Sequence, residues 1–89
     1  MIIQDIKIPD NGLIDFYADW CAPCKMMEPI MDKLRIEGVK VLKVNVDEQP
    51  ELSEYFGIRS IPTFVSIKDG KEHNRLLGAN PESKLREIL

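Results

Sequence analysis

The spacing of apolar residues changes its period at the front of this 89-residue chain. Residues 2–8 (IIQDIKI) alternate loosely, and residues 13–18 (LIDFYA) are nearly all apolar. This pattern predicts two strands, of which the second is buried. Residues 9–12 (PDNG) have the composition of a turn. Only this short connection separates the first two predicted strands, so no helix is expected between them.

A helical period follows the second strand. From Pro23 to about Glu37, apolar side chains recur every three or four residues, and Gly38 is placed to end the helix. Pro29 lies inside this segment and is expected to kink the axis, because proline removes one backbone hydrogen bond. Residues 39–46 (VKVLKVNV) alternate again and are rich in valine, which predicts a strand.

The rest of the chain completes an α/β pattern of order β-β-α-β-α-β-β-α. Strand–helix–strand segments require parallel pairing, whereas the last two strands form an antiparallel hairpin. We therefore expect a three-layer sandwich, with a central mixed β-sheet and helices on both faces, in a single domain over residues 1–89. The last predicted elements are a helix over 50–56 ended by Gly57, strands over 63–67 and 71–77 joined at Asp69-Gly70, and a helix from the N-cap Asn80 and Pro81 to Leu89.

Composition and charge exclude several classes of function. The chain is 44% hydrophobic and 30% charged, and its 12 basic and 15 acidic side chains give a net charge of −3. Without a cluster of Lys and Arg, a nucleic acid or an anionic membrane surface is not expected as a partner. No apolar run approaches the ~18–20 residues that cross a bilayer, and no cationic segment typical of a signal peptide is present. We expect a cytoplasmic, monomeric protein.

The two cysteines are the most informative pair in the sequence. Cys21 and Cys24 are three residues apart, directly after a predicted strand and at the start of a predicted helix. At that place free backbone N–H groups and the helix dipole favour the thiolate of Cys21. Cys21 would attack a substrate disulfide, and the less exposed Cys24 would then resolve the mixed disulfide. Pro23 restricts the loop between them and begins the helix.

Three other interpretations of the pair remain open. Zinc requires four ligands, and only His73 could join the two cysteines. A purely structural disulfide would close too short a loop to stabilise the fold much by chain entropy. The cysteines could also be buried, inert thiols. The position of the CxxC motif between a strand and a helix favours redox chemistry.

Two segments resemble the thioredoxin family. Residues 14–26 (IDFYADWCAPCKM), followed by Pro29, closely resemble the thioredoxin active-site segment, and residues 57–63 (GIRSIPT) resemble the family's cis-proline loop. Shorter matches at 44–47, 68–71 and 78–79 follow in the family's order. The resemblance covers residues 13–89. It implies a thioredoxin-like fold whose N-terminal helix is shortened or missing, and a protein-disulfide reductase that needs no bound cofactor.

A buried acid and a lysine form the expected catalytic support. Asp15 lies inside the apolar second strand, where desolvation raises the pKa of a carboxyl group and makes it a candidate proton acceptor. In thioredoxins the matching aspartate is assigned as a general base for the resolving thiol, which would be Cys24 here. A lysine near that aspartate is also typical of the family. We therefore expect Lys43 to pair with Asp15 and to offset the cost of burying its charge.

The resemblance also implies a substrate-binding surface around Cys21. Propensity alone predicts a trans bond before Pro62, but the family's loop has a cis bond there. The Ile61 backbone would then pair with an extended substrate strand. Gly78 would let the substrate backbone approach, and Trp20 would cover the sulfurs rather than lie in the core. The expected substrate-binding residues are Trp20, Ala22, Pro23, Ile61, Pro62 and Gly78.

Two departures from the family pattern affect these expectations. Ala22 replaces the usual glycine, and no histidine of the kind found in oxidising relatives lies between the cysteines, so we expect a reductant. Its electron donor would be a flavin enzyme using NADPH, similar to thioredoxin reductase. The short front end leaves residues 2–8 either in a hairpin beside the strand 13–18 or in a crossing without a regular helix. The alternative functions are a glutaredoxin-like protein using glutathione and a redox-independent binding module.

Overall fold

The computed structural model describes residues 1–89 and contains a four-stranded central sheet, a separate two-stranded hairpin and four helices. None of the helices has the length and apolar character needed to span a membrane. In chain order the elements are β1 (Ile2–Ile3), β2 (Ile6–Lys7), β3 (Gly12–Tyr17), α1 (Ala22–Met26), α2 (Glu28–Ile36), β4 (Val41–Asn45), α3 (Pro50–Tyr55), β5 (Thr63–Lys68), β6 (Lys71–Leu77) and α4 (Glu82–Ile88).

Strand β3 lies at the centre of the sheet, whose order is β4-β3-β5-β6. It pairs in parallel with β4, with Asp15 opposite Lys43, and antiparallel with β5, with Asp15 opposite Phe64. The β5–β6 hairpin turns at Asp69 and Gly70, whose φ angles of 52° and 78° are those of a tight hairpin turn. The mixed sheet and its terminal antiparallel hairpin confirm the predicted topology.

The two faces of the sheet carry separate hydrophobic clusters, because successive side chains of a strand point to opposite faces. Leu13 and Phe64 pack with residues of α2 and α4 on one face. Ile14 and Phe16 pack with residues of α3 on the other. The predicted three-layer sandwich, with helices on both faces of the sheet, is therefore confirmed.

The first long helix is interrupted where the sequence predicts a kink. Helix α1 ends with Met27 as its C-cap, and α2 begins at Glu28, with Pro29 in its first turn. Because proline has no N–H group, it fits the first turn of a helix, where backbone donors have no partner within the helix. The break leaves α1 as a separate short helix that starts immediately after Cys21.

The predicted single strand over residues 2–8 is wrong, and so is the alternative that places it in a hairpin beside the strand 13–18. Strands β1 and β2 pair only with each other, across a turn in which Gln4 and Asp5 have φ angles of 50° and 64°. The hairpin packs against the α3 side of the sheet, and the Gln4 side-chain oxygen accepts a hydrogen bond from Leu52 N at 2.9 Å. No helix precedes β3, and β4 forms one edge of the central sheet.

The start of the last helix also differs from the prediction. Pro81, not Asn80, is the N-cap of α4, and it offers no side-chain cap. The Asn80 amide instead donates to the carbonyls of Leu77 and Gly78, at 2.9 and 3.1 Å. Asn80 therefore closes the turn after β6 and leaves the helix N-terminus without a side-chain partner.

The contribution of the central strand to stability can be measured with two identical substitutions. Leu13 is completely buried in β3, whereas Leu77 in β6 is 58% exposed. We expect Leu13→Ala to lower the free energy of unfolding by about 2–5 kcal/mol, and Leu77→Ala to change it by about 0.5 kcal/mol or less. Chemical denaturation of both variants tests this. Equal losses would contradict the assignment of β3 to the core.

Candidate active site

The two cysteines are joined in a disulfide at the carboxyl end of the central strand, with their Cα atoms 5.3 Å apart. Cys21 is the N-cap of α1, and its Sγ accepts a hydrogen bond from Cys24 N at 3.2 Å. The predicted Cys21–Cys24 pairing is confirmed. No group of three or more His, Cys, Asp or Glu side chains is placed to hold a metal ion, so the structure gives the zinc interpretation no support.

The disulfide is packed into a small apolar cluster formed by Ala18, Cys21 and Cys24, here called the cysteine cluster. Val46 and Ile61 lie against it from two other segments of the chain. Both cysteines are only 4% exposed. The prediction that Cys24 is less exposed than Cys21 is therefore wrong for the disulfide form. Closure of the small ring places both residues against the same apolar neighbours.

Asp15 is a buried acid in the middle of β3, with 1% of its surface exposed. Burial raises its pKa from 3.8 to about 6, while the cations of Lys43 and Arg35 oppose the rise and the Glu28 carboxylate adds to it. Its Oδ1 atom is buried without a hydrogen-bond partner. The carboxyl group is thus able to gain or lose a proton near neutral pH, as desolvation of a carboxyl in an apolar strand predicts.

Lys43 lies beside Asp15 in the sheet but does not form the expected ion pair with it. Its Nζ atom lies 3.7 Å from Glu28 Oε1 and 4.4 Å from the centroid of the Tyr17 ring. The predicted direct pairing with Asp15 is therefore wrong, although the ammonium group still lowers the pKa of that acid. Glu28 and Tyr17 compete for the cation. Sequence reasoning missed Glu28, because nothing in its local pattern indicates a contact with β4.

Trp20 lies on the surface next to the disulfide and is 71% exposed, which excludes the alternative of a core tryptophan. Its Nε1 donates to Asp47 Oδ2 at 2.9 Å, and Asp47 N in turn donates to Asn45 Oδ1 at 2.9 Å. Asp47 was not predicted as part of the site. It follows the end of β4, which is parallel to β3, and this topology places it near the loop that carries Trp20.

The predicted cis-proline loop also reaches the cysteines. The Ile61–Pro62 bond is cis, which confirms the expectation based on the family, and Ile61 packs against the cysteine cluster. Gly78 N donates to Pro62 O at 2.8 Å, with a φ angle of 83° that favours glycine. Ala22 and Pro23 are exposed in the first turn of α1. These residues come from three separate segments of the chain.

The comparison with known sequences identifies this arrangement. The sequence model of the family described as thioredoxin matches residues 3–89. The chain belongs to the thioredoxin family. It is 44% identical to thioredoxin 1 of Nostoc sp. over 90 residues, covering 98% of this chain and 82% of that protein. Thioredoxin of Chlamydia caviae is 44% identical over 79 residues, covering 86% of this chain and 78% of its own length.

Solved thioredoxin structures have the same fold. The oxidized form of mitochondrial thioredoxin 3 from Saccharomyces cerevisiae aligns with a TM-score of 0.79 and 42% identity, covering 89% of this chain and 76% of the other. Thioredoxins are thiol–disulfide oxidoreductases that reduce protein disulfides and need no bound cofactor. This thioredoxin is therefore a protein-disulfide reductase, and its redox group is the Cys21–Cys24 disulfide.

The raised pKa of Asp15 gives a prediction about stability. In the unfolded chain the acid ionises near pH 4, and in the native protein near pH 6, so the native state loses stability as pH rises through this interval. We expect Asp15→Asn to raise the free energy of unfolding at pH 7.5 by about 2–3 kcal/mol, with the gain absent below pH 4. Denaturant unfolding of the oxidised proteins at both pH values measures this. A gain independent of pH would contradict the assigned burial of charge.

Proposed function

We propose that this thioredoxin reduces protein disulfides with Cys21 as the attacking residue and Cys24 as the resolving residue. The main support for these roles is the hydrogen bond that Cys24 N donates to Cys21 Sγ at 3.2 Å. The same donor would stabilise the negative charge of a Cys21 thiolate after reduction, since hydrogen bonds to an ionised acceptor are the stronger ones. Cys24 Sγ has no comparable backbone donor.

The proposed reaction is two successive thiol–disulfide exchanges. The Cys21 thiolate attacks one sulfur of the substrate disulfide, which forms a mixed disulfide and releases the other substrate sulfur as a thiolate. Cys24 then loses its proton and attacks Cys21 Sγ, which releases the second substrate sulfur and closes the Cys21–Cys24 disulfide. The substrate gains two electrons, and the dithiol loses them.

Asp15 is the proposed proton acceptor for Cys24, and Lys43 is the cation that modulates it. The support is chemical: Asp15 is buried, titrates near neutrality, and has an oxygen atom without a hydrogen-bond partner. A general base is most effective when its pKa lies near the working pH. Lys43 lowers the pKa of Asp15 and so limits the rise that burial causes.

The proposed substrate surface surrounds the disulfide. Ile61 packs on the cysteine cluster, and a substrate strand lying along its backbone would be held mainly by main-chain hydrogen bonds. Recognition of this kind selects weakly among side chains, which suits a protein with many disulfide substrates. The other residues proposed to contact substrate are Trp20, Ala22, Pro23, Pro62 and Gly78.

The proposed electron donor is a flavoprotein similar to thioredoxin reductase. We propose that the protein it reduces is a monomer with a single domain over residues 1–89. We propose the cytoplasm as the compartment, because a reductase of protein disulfides works where thiols are kept reduced. Ala22 and Pro23, the residues between the cysteines, supply no donor that would favour an oxidant.

The roles of the two cysteines can be separated by substitution. We expect Cys21→Ser to abolish insulin reduction, because no thiolate is left to start the exchange. Cys24→Ser should accumulate covalent complexes with substrate, because the mixed disulfide cannot be resolved. Turbidity during insulin reduction and non-reducing electrophoresis measure these outcomes. Insulin reduction retained by the Cys21 variant would contradict the assignment of the attacking residue.

The double variant Cys21→Ser/Cys24→Ser tests the alternative of a redox-independent binding module, since such a module would keep its function. The glutaredoxin-like alternative is tested by comparing turnover with glutathione and with thioredoxin reductase plus NADPH as electron sources. We expect turnover with the reductase and little with glutathione alone. The reverse preference would favour the glutaredoxin-like alternative.

Asp15→Asn provides a separate kinetic prediction. The amide cannot accept a proton, so turnover at pH 7 should fall roughly 10-fold or more, since a positioned base typically contributes at least that much. The protein should remain folded, which circular dichroism checks. An unchanged turnover would remove Asp15 from the mechanism and leave the cysteine roles intact.

A further inference from the structure

Three charged side chains act electrostatically on the buried carboxyl group of Asp15. Lys43 lies opposite Asp15 on the neighbouring strand β4, and Glu28 and Arg35 belong to α2. The neighbour from β5 is the apolar Phe64, and the cysteines of the adjoining loop and α1 do not titrate in the disulfide form. Arg35 is itself engaged, because its guanidinium lies 3.1 Å from Asp32 Oδ1. Lys43 is therefore the cation best placed to neutralise Asp15.

Lys43 is nevertheless held by other groups. Its Nζ atom lies 3.7 Å from Glu28 Oε1 and 4.4 Å from the centre of the Tyr17 ring, and it makes no ion pair with Asp15. Glu28 is the first residue of α2, beside the break at Met27, and its side chain is about half exposed. The acid thus remains in the core without a paired cation, and its Oδ1 atom stays unpartnered.

We propose that Glu28 is a positioning residue for the reductase reaction: its carboxylate holds the Lys43 ammonium away from Asp15, which leaves the buried acid free to exchange a proton. The inference rests on the proposed role of Asp15 as a base. Glu28 makes no hydrogen bond to either cysteine, and its one ion pair is with Lys43, through which it acts. Exposed ion pairs add little to stability. The proposed effect of the Glu28–Lys43 pair is therefore on the position of the ammonium group and not on the stability of the fold.

Removal of the Glu28 charge has two effects on Asp15, both of the same sign. Lys43 is released to approach Asp15, and the repulsion between the two carboxylates disappears. Both effects stabilise the ionised form of Asp15 and lower its pKa. For a half-exposed pair we expect a decrease of about 0.5 pH unit at low ionic strength. The decrease should shrink at high salt, because exposed charges are screened.

Glu28→Gln and Glu87→Gln form a matched pair of variants. Glu87 lies 3.6 Å from Lys84 in an exposed ion pair on α4, so both substitutions remove one charge from a similar surface pair. The Asp15 carboxyl is titrated by carbon-13 NMR in the oxidised proteins, where the cysteines do not interfere. We expect the Glu28 variant to titrate about 0.5 pH unit lower than the wild type, and the Glu87 variant to match the wild type.

A second background shows whether Glu28 acts through Lys43. In Lys43→Gln, the added Glu28→Gln substitution should shift the titration by less than half as much, since the cation to be released is gone. An equal shift in both backgrounds, or no shift from Glu28→Gln in the wild type, would overturn the proposal. In the Glu28 variant, the acid limb of the pH dependence of turnover should also move to lower pH. Loss of a residue with a purely structural role would not cause that movement.

The proposal and the role of Asp15 can fail separately. If Asp15→Asn leaves turnover unchanged while Glu28→Gln still shifts the carboxyl titration, the proposed base is wrong, and Glu28 positions Lys43 without a catalytic consequence. If Asp15→Asn slows turnover but Glu28→Gln changes neither the titration nor the acid limb, the base is retained and the positioning role of Glu28 is refuted.

Discussion

The structure depends on one constraint: its central strand is hydrogen-bonded on both edges and covered on both faces. Strand β3 pairs with β4 and β5, and the helices on each face bury every second side chain. Any charge in that strand must therefore be desolvated, which is why Asp15 titrates near neutrality. The same strand ends at Tyr17, four residues before the disulfide, so the core and the redox group are built on one rigid segment.

The sequence was sufficient for most of this arrangement because the patterns involved are local. The apolar run of β3, the helical spacing after Pro23 and the Asp69-Gly70 turn each specify their own conformation. The front of the chain was different. Its apolar alternation predicts one strand over residues 2–8, but Gln4 and Asp5 turn the chain back with positive φ angles. Glutamine does not favour a positive φ angle, so the pair Gln4-Asp5 gives little sequence signal for such a turn.

In the active site, too, the sequence predicts the features that depend on local pattern and misses a contact between distant residues. The spacing of Cys21 and Cys24 predicts a disulfide at a helix start, and the apolar neighbours of Asp15 predict its burial. The partner of Lys43 could not be predicted. Its contact with Glu28 forms only when α2 docks on β4. Lys43 has two nearby acids, Glu28 and Asp15, and it forms an ion pair with Glu28. Long-range pairs between side chains depend on packing geometry that a single sequence does not encode locally.

The charges of the Glu28–Lys43 pair at the surface also affect the pKa of Asp15 in the interior. The pair is partly exposed, whereas the carboxyl group of Asp15 is enclosed. A charge at the surface can therefore adjust the proton affinity of a group in the core without entering it. Burial raises the pKa of Asp15, and the charges of Lys43, Arg35 and Glu28 set how far it rises.

The most direct test of the account is an equilibrium titration of the Cys21–Cys24 pair against glutathione redox buffers, followed by alkylation and intact mass. We expect a single two-electron transition between disulfide and dithiol, at a potential lower than that of glutathione. Separate one-thiol steps, or a pair that stays reduced in buffers that oxidise glutathione, would contradict the assignment of this protein as a dithiol reductase.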